Sequence, residues 1–190
     1  MRLSCIVLLT ALLALTSSAA SAQGYITPYI GYNFGGDSAN CQSLSNCEEK
    51  HANFGVSIGA MGTLVGIEED IGYAKNFFAQ TPGSESNVFS AMTNLLVGAG
   101  VGPVQPFLLI GLGVIRPHVD LNPTQSSSKA GLGYDVGGGV NVYPTKHVGI
   151  RADARHLHTI SDVTIPIVNQ TITTDKLKWW RASLGLALRF

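Results

Sequence analysis

Beyond Ala22 no run of apolar residues reaches the length of about 18 that a membrane-spanning helix requires. Yet the chain is 45% hydrophobic and only 13% charged, with a mean hydropathy of +0.23. The nearest approach, Leu95 to Ile115, is cut by Gly98, Gly100, Gly102, Pro103, Pro106, Gly111 and Gly113, and glycine and proline at that density unmake a helix. A hydrophobic chain denied helices has one other way to satisfy its backbone in lipid. It is a closed β-barrel, in which every N–H and C=O is paired between strands.

The two ends of the chain agree with that solution. Arg2 is followed by an apolar run from Cys5 to Leu15 and then by small residues ending Ala20-Ser21-Ala22. This reads as a secretory signal peptide, residues 1–22, cleaved between Ala22 and Gln23. At the other end Trp180, Ala182, Leu184, Leu186, Leu188 and Phe190 are apolar at every second place, with Arg181, Ser183, Gly185, Ala187 and Arg189 between them. Period two is a strand period. Export also bears on the cysteines: Cys41 and Cys47, close in sequence, are expected to form a local disulfide. A zinc site is the sharper alternative, but the two cysteines with His51 nearby fall short of the four ligands a structural site uses.

The same period runs through the rest of Gln23 to Phe190, read as one domain. A first strand from Gly24 sets Ile26, Ile30, Tyr32 and Phe34 against Tyr25, Thr27, Tyr29, Gly31 and Asn33. Further strands are expected over Lys50 to Met61, Leu64 to Phe78, Asn87 to Val97, Val104 to Val119, Ala130 to Tyr143, from Val148, and over Leu177 to Phe190. Between them, polar stretches (Gly36 to Glu49, Ala79 to Ser86, Asp120 to Lys129, Ser161 to Lys176) alternate with short turns at Gly62-Thr63, Gly98 to Pro103 and Pro144 to His147. An up-and-down transmembrane barrel has this asymmetry, long loops outside and short turns in the periplasm. A soluble lipocalin-like barrel also has eight strands, but its apolar face points inward. Here the face rich in glycine and charge is the narrower one. Tyr32, Phe34, Tyr73, Phe77, Trp179 and Trp180 gather at the loop ends of their strands, as an interfacial aromatic girdle does. The fold expected is therefore all-β: an eight-stranded antiparallel up-and-down transmembrane β-barrel.

Three stretches, GYITPYIGYNFGGD (Gly24 to Asp37), QPFLLIGLGV (Gln105 to Val114) and GYDVGGGVNVYPTKHVGIRADARHLHT (Gly133 to Thr159), resemble the small outer-membrane β-barrel domain family of the OmpA and OmpX type. The likeness is to the barrel part, without the peptidoglycan-binding domain of full OmpA-type proteins. The chain end is similar to the carboxy-terminal β-signal of that family, with Ser183, Gly185, Leu188 and Phe190 at its polar, glycine and hydrophobic places. The resemblance implies the cell outer membrane of a Gram-negative bacterium. It also implies contact with outer-membrane lipid and lipopolysaccharide, recognition of the last strand by the barrel assembly machinery, and a monomer.

Candidate chemistry is sparse. Glu68 and Asp70 on one expected strand and Arg151, Asp153 and Arg155 on another fall on the inner face, with Arg181 and Arg189 on the last strand. A lumen about wide enough for side chains favours an ion-pair network there over an open pore. Glu69 breaks the alternation: it either faces lipid or is turned aside by a bulge. His156 and His158 share an outward face and are read as girdle residues. A metal pair, or His158 with Ser161 as in hydrolytic lipid A deacylases, is the sharper alternative, but no carboxylate is placed by spacing to orient a histidine. Gly111-x-Gly113 and Gly131-x-Gly133 lack the third glycine of a dinucleotide loop. Twelve Lys and Arg balance twelve Asp and Glu, which offers nucleic acid nothing. No catalytic residue, metal or cofactor is assigned. Ile165, Ile167, Val168 and Ile172 in the last loop offer either an edge for strand addition by a partner or simply a longer hairpin. The function expected is structural or surface-interacting, adhesion-like, through external loops that meet a surface ligand. A small diffusion pore is the alternative, and a lipid-modifying enzyme a further one.

Overall fold

The computed structural model describes residues 22–36, 52–75, 77, 85–122, 125–128, 130–160, 163–167, 170–174 and 176–190. The strands are β1 (Gln23–Phe34), β2 (Ala52–Met61), β3 (Val65–Lys75), β4 (Glu85–Gly98), β5 (Val104–Asn122), β6 (Gln125–Ser128), β7 (Gly131–Val142), β8 (Val148–Thr159), β9 (Val163–Ile167), β10 (Gln170–Thr174) and β11 (Lys178–Arg189). Around the sheet the order is β4-β3-β2-β1-β11-β8-β7-β5, and β5 pairs back onto β4 to close it. Every neighbouring pair is antiparallel, including the β1–β11 seam that runs from Tyr25↔Arg189 to Phe34↔Trp180. The expected eight-stranded barrel is the one observed, and closure leaves no strand edge for lipid to meet.

Alternation decides which way each strand faces. Ile30, Leu108, Leu112 and Leu132 are 65–70% exposed, while Thr27, Glu68, Asp70, Asp135 and Arg155 are at most 1% exposed. Apolar outside and polar inside is the reverse of a soluble barrel, and it is the arrangement a hydrocarbon solvent selects. The N-terminal end of β1, the last residue Phe190 and the three short turns share one end, where the Phe190 N–H donates to the Gly24 carbonyl at 2.9 Å. The Phe190 ring lies against Gly24 so closely that a Cβ there would stand 2.6 Å from its edge. The long connections leave from the opposite end.

Three details depart from the sequence reading, and a fourth decides between alternatives it left open. The expected polar loop from Asp120 to Lys129 is largely strand: β5 continues to Asn122 and β6 folds back on it, with a register shift between Asp120 and Asn122. The stretch is almost wholly polar in sequence, so no hydrophobic period announces it. The last long loop carries β9 and β10, which pair with each other in a sheet of their own and do not prolong β8 and β11. Phe77 and Trp179 are not girdle residues but are buried inside the barrel, at 1% and 3% exposure. Phe77 lies past the end of β3, where counting by two no longer applies, and Trp179 shares the inward parity of Arg181. Finally, β3 carries no bulge: its register with β2 and β4 is continuous through Ile58↔Glu69↔Thr93. Glu69 therefore faces outward.

Cys41 and Cys47, Ser161 and nearly all of the expected signal segment lie outside the described residues.

Candidate functional site

The lumen is filled in three layers. At the short-turn end Tyr25, Met61, Leu96, Phe107 and Leu109 form one buried apolar cluster. At the long-loop end Ala74, Phe77, Val88, Met92, Ile115, Leu157, Leu177 and Trp179 form another, with the Phe77 and Trp179 rings edge to face at 4.9 Å. Between the two lies a belt of charge.

The belt joins strands from opposite sides of the ring, because β3 and β8 stand four places apart in the strand order. Glu68 of β3 receives Arg151 at 2.5 and 3.2 Å, Arg155 at 3.0 Å and the Tyr25 hydroxyl at 2.6 Å. Its carboxylate is thereby hydrogen-bonded on both oxygens, the condition for holding charge in a medium of low dielectric. Asp70, one step further along the same face, receives Arg181 at 2.6 Å, Ser57 at 2.8 Å and Tyr29 at 3.2 Å, with Arg155 Nη1 at 3.4 Å. Asp153 sits between the two arginines of its own strand, accepting from Arg151 Nε at 3.1 Å and Arg155 Nε at 2.8 Å. Asp135 on β7 completes the belt 3.6 Å from Arg155 Nη1. With its amide oriented to suit both neighbours, Asn94 donates to Asp135 at 2.8 Å and accepts from Arg155 at 3.0 Å. Arg151 and Arg181 also lie over the Phe107 and Tyr29 rings at 4.4 and 4.9 Å, so guanidinium planes stack as well as bond.

Glu68, Asp70, Arg151, Asp153 and Arg155 thus meet in one place. Asp135 and Arg181 join them there. The hydroxyl and amide partners, Tyr25, Tyr29, Ser57 and Asn94, were hidden to spacing arguments, although their inward parity was readable. Arg189 stays apart at the short-turn mouth, over Tyr143 at 3.5 Å and bonded to Gln105 at 2.9 Å. There it borders a recess of about 630 Å³ whose lining includes Met61 and Gln105.

The belt fits only because its neighbours are small. A Cβ at Gly111 would overlap the side chains of both Asn94 and Asp135, which are fully buried. Gly111→Ala is expected to cost about 1–3 kcal/mol, the usual range for overpacking a filled interior, in urea unfolding from lipid vesicles. Gly100→Ala, where added atoms meet open space, serves as the unchanged reference.

His156 and His158 are half-buried on the outer face. Their rings are 6.2 Å apart, with His156 5.0 Å from Trp180 and His158 5.2 Å from Tyr134, and Trp180 stacks on Phe34 at 6.4 Å. This is an aromatic patch at the rim. Among the described residues no group of three His, Cys, Asp or Glu is placed to hold a metal. Of the terminal pattern, Ser183 is buried facing inward and Phe190 is 78% exposed.

The comparisons follow the same lines. The model of a family described as outer membrane protein beta-barrel domain matches residues 7–190. No curated protein matches by sequence. Neisserial surface protein A is similar in structure, at 17% identity and a TM-score of 0.59 over 87% of this chain and 95% of that one. Outer membrane protein H of Pseudomonas aeruginosa has a TM-score of 0.60 at 14% identity over 89% and 100%. Ail, the attachment invasion locus protein of Yersinia pestis, has a TM-score of 0.55 at 14% identity over 90% and 99%; it has also been solved with the heparin analogue sucrose octasulfate. At such identities the likeness is one of fold.

Proposed function

The chain belongs to the outer membrane protein beta-barrel domain family and resides in the outer membrane of a Gram-negative bacterium, and on that premise we propose that it is a closed anchor whose long external loops are its working surface. One observation carries the reading. The lumen is filled by apolar side chains at both ends and by a hydrogen-bonded charge belt between them, while every long connection leaves from one end of the barrel. A filled barrel of this size is a packed core and not a conduit. The role is structural and adhesion-like, through a surface ligand met by the loops. That Ail, a protein of the same architecture, binds a sulfated sugar analogue is in keeping with it.

The assembly steps belong to the same proposal. Residues 1–22 are removed at Ala22–Gln23 on export, Cys41 and Cys47 pair in the first loop, and the last strand, with Ser183, Gly185, Leu188 and Phe190, addresses the barrel assembly machinery. The barrel then sits among lipid and lipopolysaccharide without cofactor or catalysis.

Planar-bilayer recording tests the closed lumen. Refolded Gln23 to Phe190 is expected to insert without steady channels; a stable open conductance would make small-solute diffusion the leading function. The loop role is tested on cells displaying the barrel on their surface. Replacing 37–51 and 163–174 by short turns should abolish adherence to a host-cell layer while leaving the folded barrel in the membrane, and unchanged adherence would refute it. Lipid A mass spectra with and without the protein should be the same.

A further inference from the structure

The short turns of such a barrel face the periplasm, and at that end two cations are fastened side by side. The turn between β7 and β8 is closed on itself by Thr145, whose hydroxyl accepts from the Val148 N–H at 3.0 Å. It is also tied to the end of β11. The Arg189 N–H donates to the His147 carbonyl at 2.8 Å, and His147 Nδ1 lies 3.2 Å from the Arg189 carbonyl. Lys146, the residue before His147, is thereby held beside the strand end that carries Arg189. Both side chains border the recess of about 630 Å³ at this mouth.

The Arg189 guanidinium is fixed in its plane. Tyr143 lies 3.5 Å from it, buried and packed so closely on Gly149 that a Cβ there would stand 2.5 Å from the ring. Gln105, also buried, accepts one of the five N–H donors at 2.9 Å. Arg151, Arg155 and Arg181 are each ion-paired, whereas among the described residues neither Arg189 nor Lys146 meets a carboxylate. No Asp or Glu lines the recess, and none stands in the three short turns. A cleft walled by one sign of charge concentrates ions of the other sign. A guanidinium already held flat takes a carboxylate or phosphate edge-on and loses little freedom in doing so. The volume falls in the range of about 300–1,000 Å³ usual for small-molecule sites.

We propose that the periplasmic mouth binds a small dianion, a phosphate or a dicarboxylate, gripped by the Arg189 fork and neutralised by Lys146 from the turn beside it. Gln105 and Tyr143 position the fork. The apolar cluster of Tyr25, Met61, Leu96, Phe107 and Leu109 fills the lumen at this end, so the ligand is held at the mouth and not passed through.

The experiment is an NMR chemical-shift titration of the folded Gln23 to Phe190 barrel in maltoside micelles, whose headgroups carry neither phosphate nor charge. Sodium phosphate and disodium succinate are added separately at low ionic strength. At least one should give a saturating one-site curve, read at the amides of Thr145 to His147 and Arg189; the tighter of the two identifies the group as phosphate or carboxylate. Arg189→Gln and Lys146→Ala should each weaken it by about tenfold or more, the worth of a hydrogen bond to a charged group. Lys146 is exposed, so its variant reports on binding in a barrel whose packing is untouched. Lys75→Ala, at the long-loop end, should leave the curve unchanged, and added sodium chloride should weaken it. Shifts that fail to saturate with either anion, or an affinity that Lys146→Ala and Arg189→Gln leave as in the wild type, would overturn the proposal.

Discussion

Arg155→Ala is expected to cost about 3–5 kcal/mol, the range found when one partner of a buried ion pair is removed and the other is left behind. Arg155 touches all four carboxyl groups of the belt: Glu68, Asp70, Asp153 and Asp135. Without it, three guanidinium groups facing four carboxyls become two, and Asp135 loses its ion-pair contact. The charges that remain are held too deep for water to reach. Urea unfolding from lipid vesicles should show an early, still cooperative transition, or refolding should fail. The informative contrast is Asp135→Asn, which removes the surplus carboxyl and keeps an acceptor toward Arg155. Its change should stay within about 1 kcal/mol, the net size of an ordinary hydrogen bond. If Arg155→Ala and Asp135→Asn proved equally mild, the belt would be ornament and not structure.

The second large effect is expected at Trp179. Its indole closes the long-loop end of the lumen with Phe77, Met92, Leu157 and Leu177 around it, and Trp→Ala in a filled core costs about 3–5 kcal/mol. Its neighbour Trp180 looks the other way, is 44% exposed and stacks on Phe34. Lipid replaces much of what Trp180→Ala removes, so that loss should be about 1 kcal/mol, comparable to one aromatic pair. The same titration measures both. Equal losses would contradict the inward orientation of Trp179. Conductance adds a second readout, because Trp179→Ala should stay silent in a planar bilayer as long as the charge belt beneath it is intact.

These two residues also show that parity outranks residue type at a strand end. Two adjacent tryptophans at a strand end look like a matched pair of girdle residues, yet a strand sends neighbours to opposite faces. Only one of them can reach lipid. Phe77 escaped for a different reason: it lies beyond the last paired residue of β3, so the strand period does not fix which way it points. The β6 strand escaped because its residues, Gln125 to Ser128, are all polar and show no apolar period.

Sequence alone determined the barrel, its strand count, its membrane face and the inward parity of Glu68, Asp70, Arg151, Asp153 and Arg155. It could do so because a strand repeats every two residues and hydrocarbon tolerates no unpaired backbone, so each local choice is forced by the solvent outside. Tertiary structure alone decided who meets whom across the lumen. β3 reaches β8 only after the ring has closed with β1 on β11, and which guanidinium lands on which carboxylate depends on the stagger of the closed sheet. The same closure decided that Glu69 has no bulge to escape by, because the ladders with β2 and β4 are continuous on both sides of it. A period of two can say that a side chain points outward; the paired strands on either side are what keep it there.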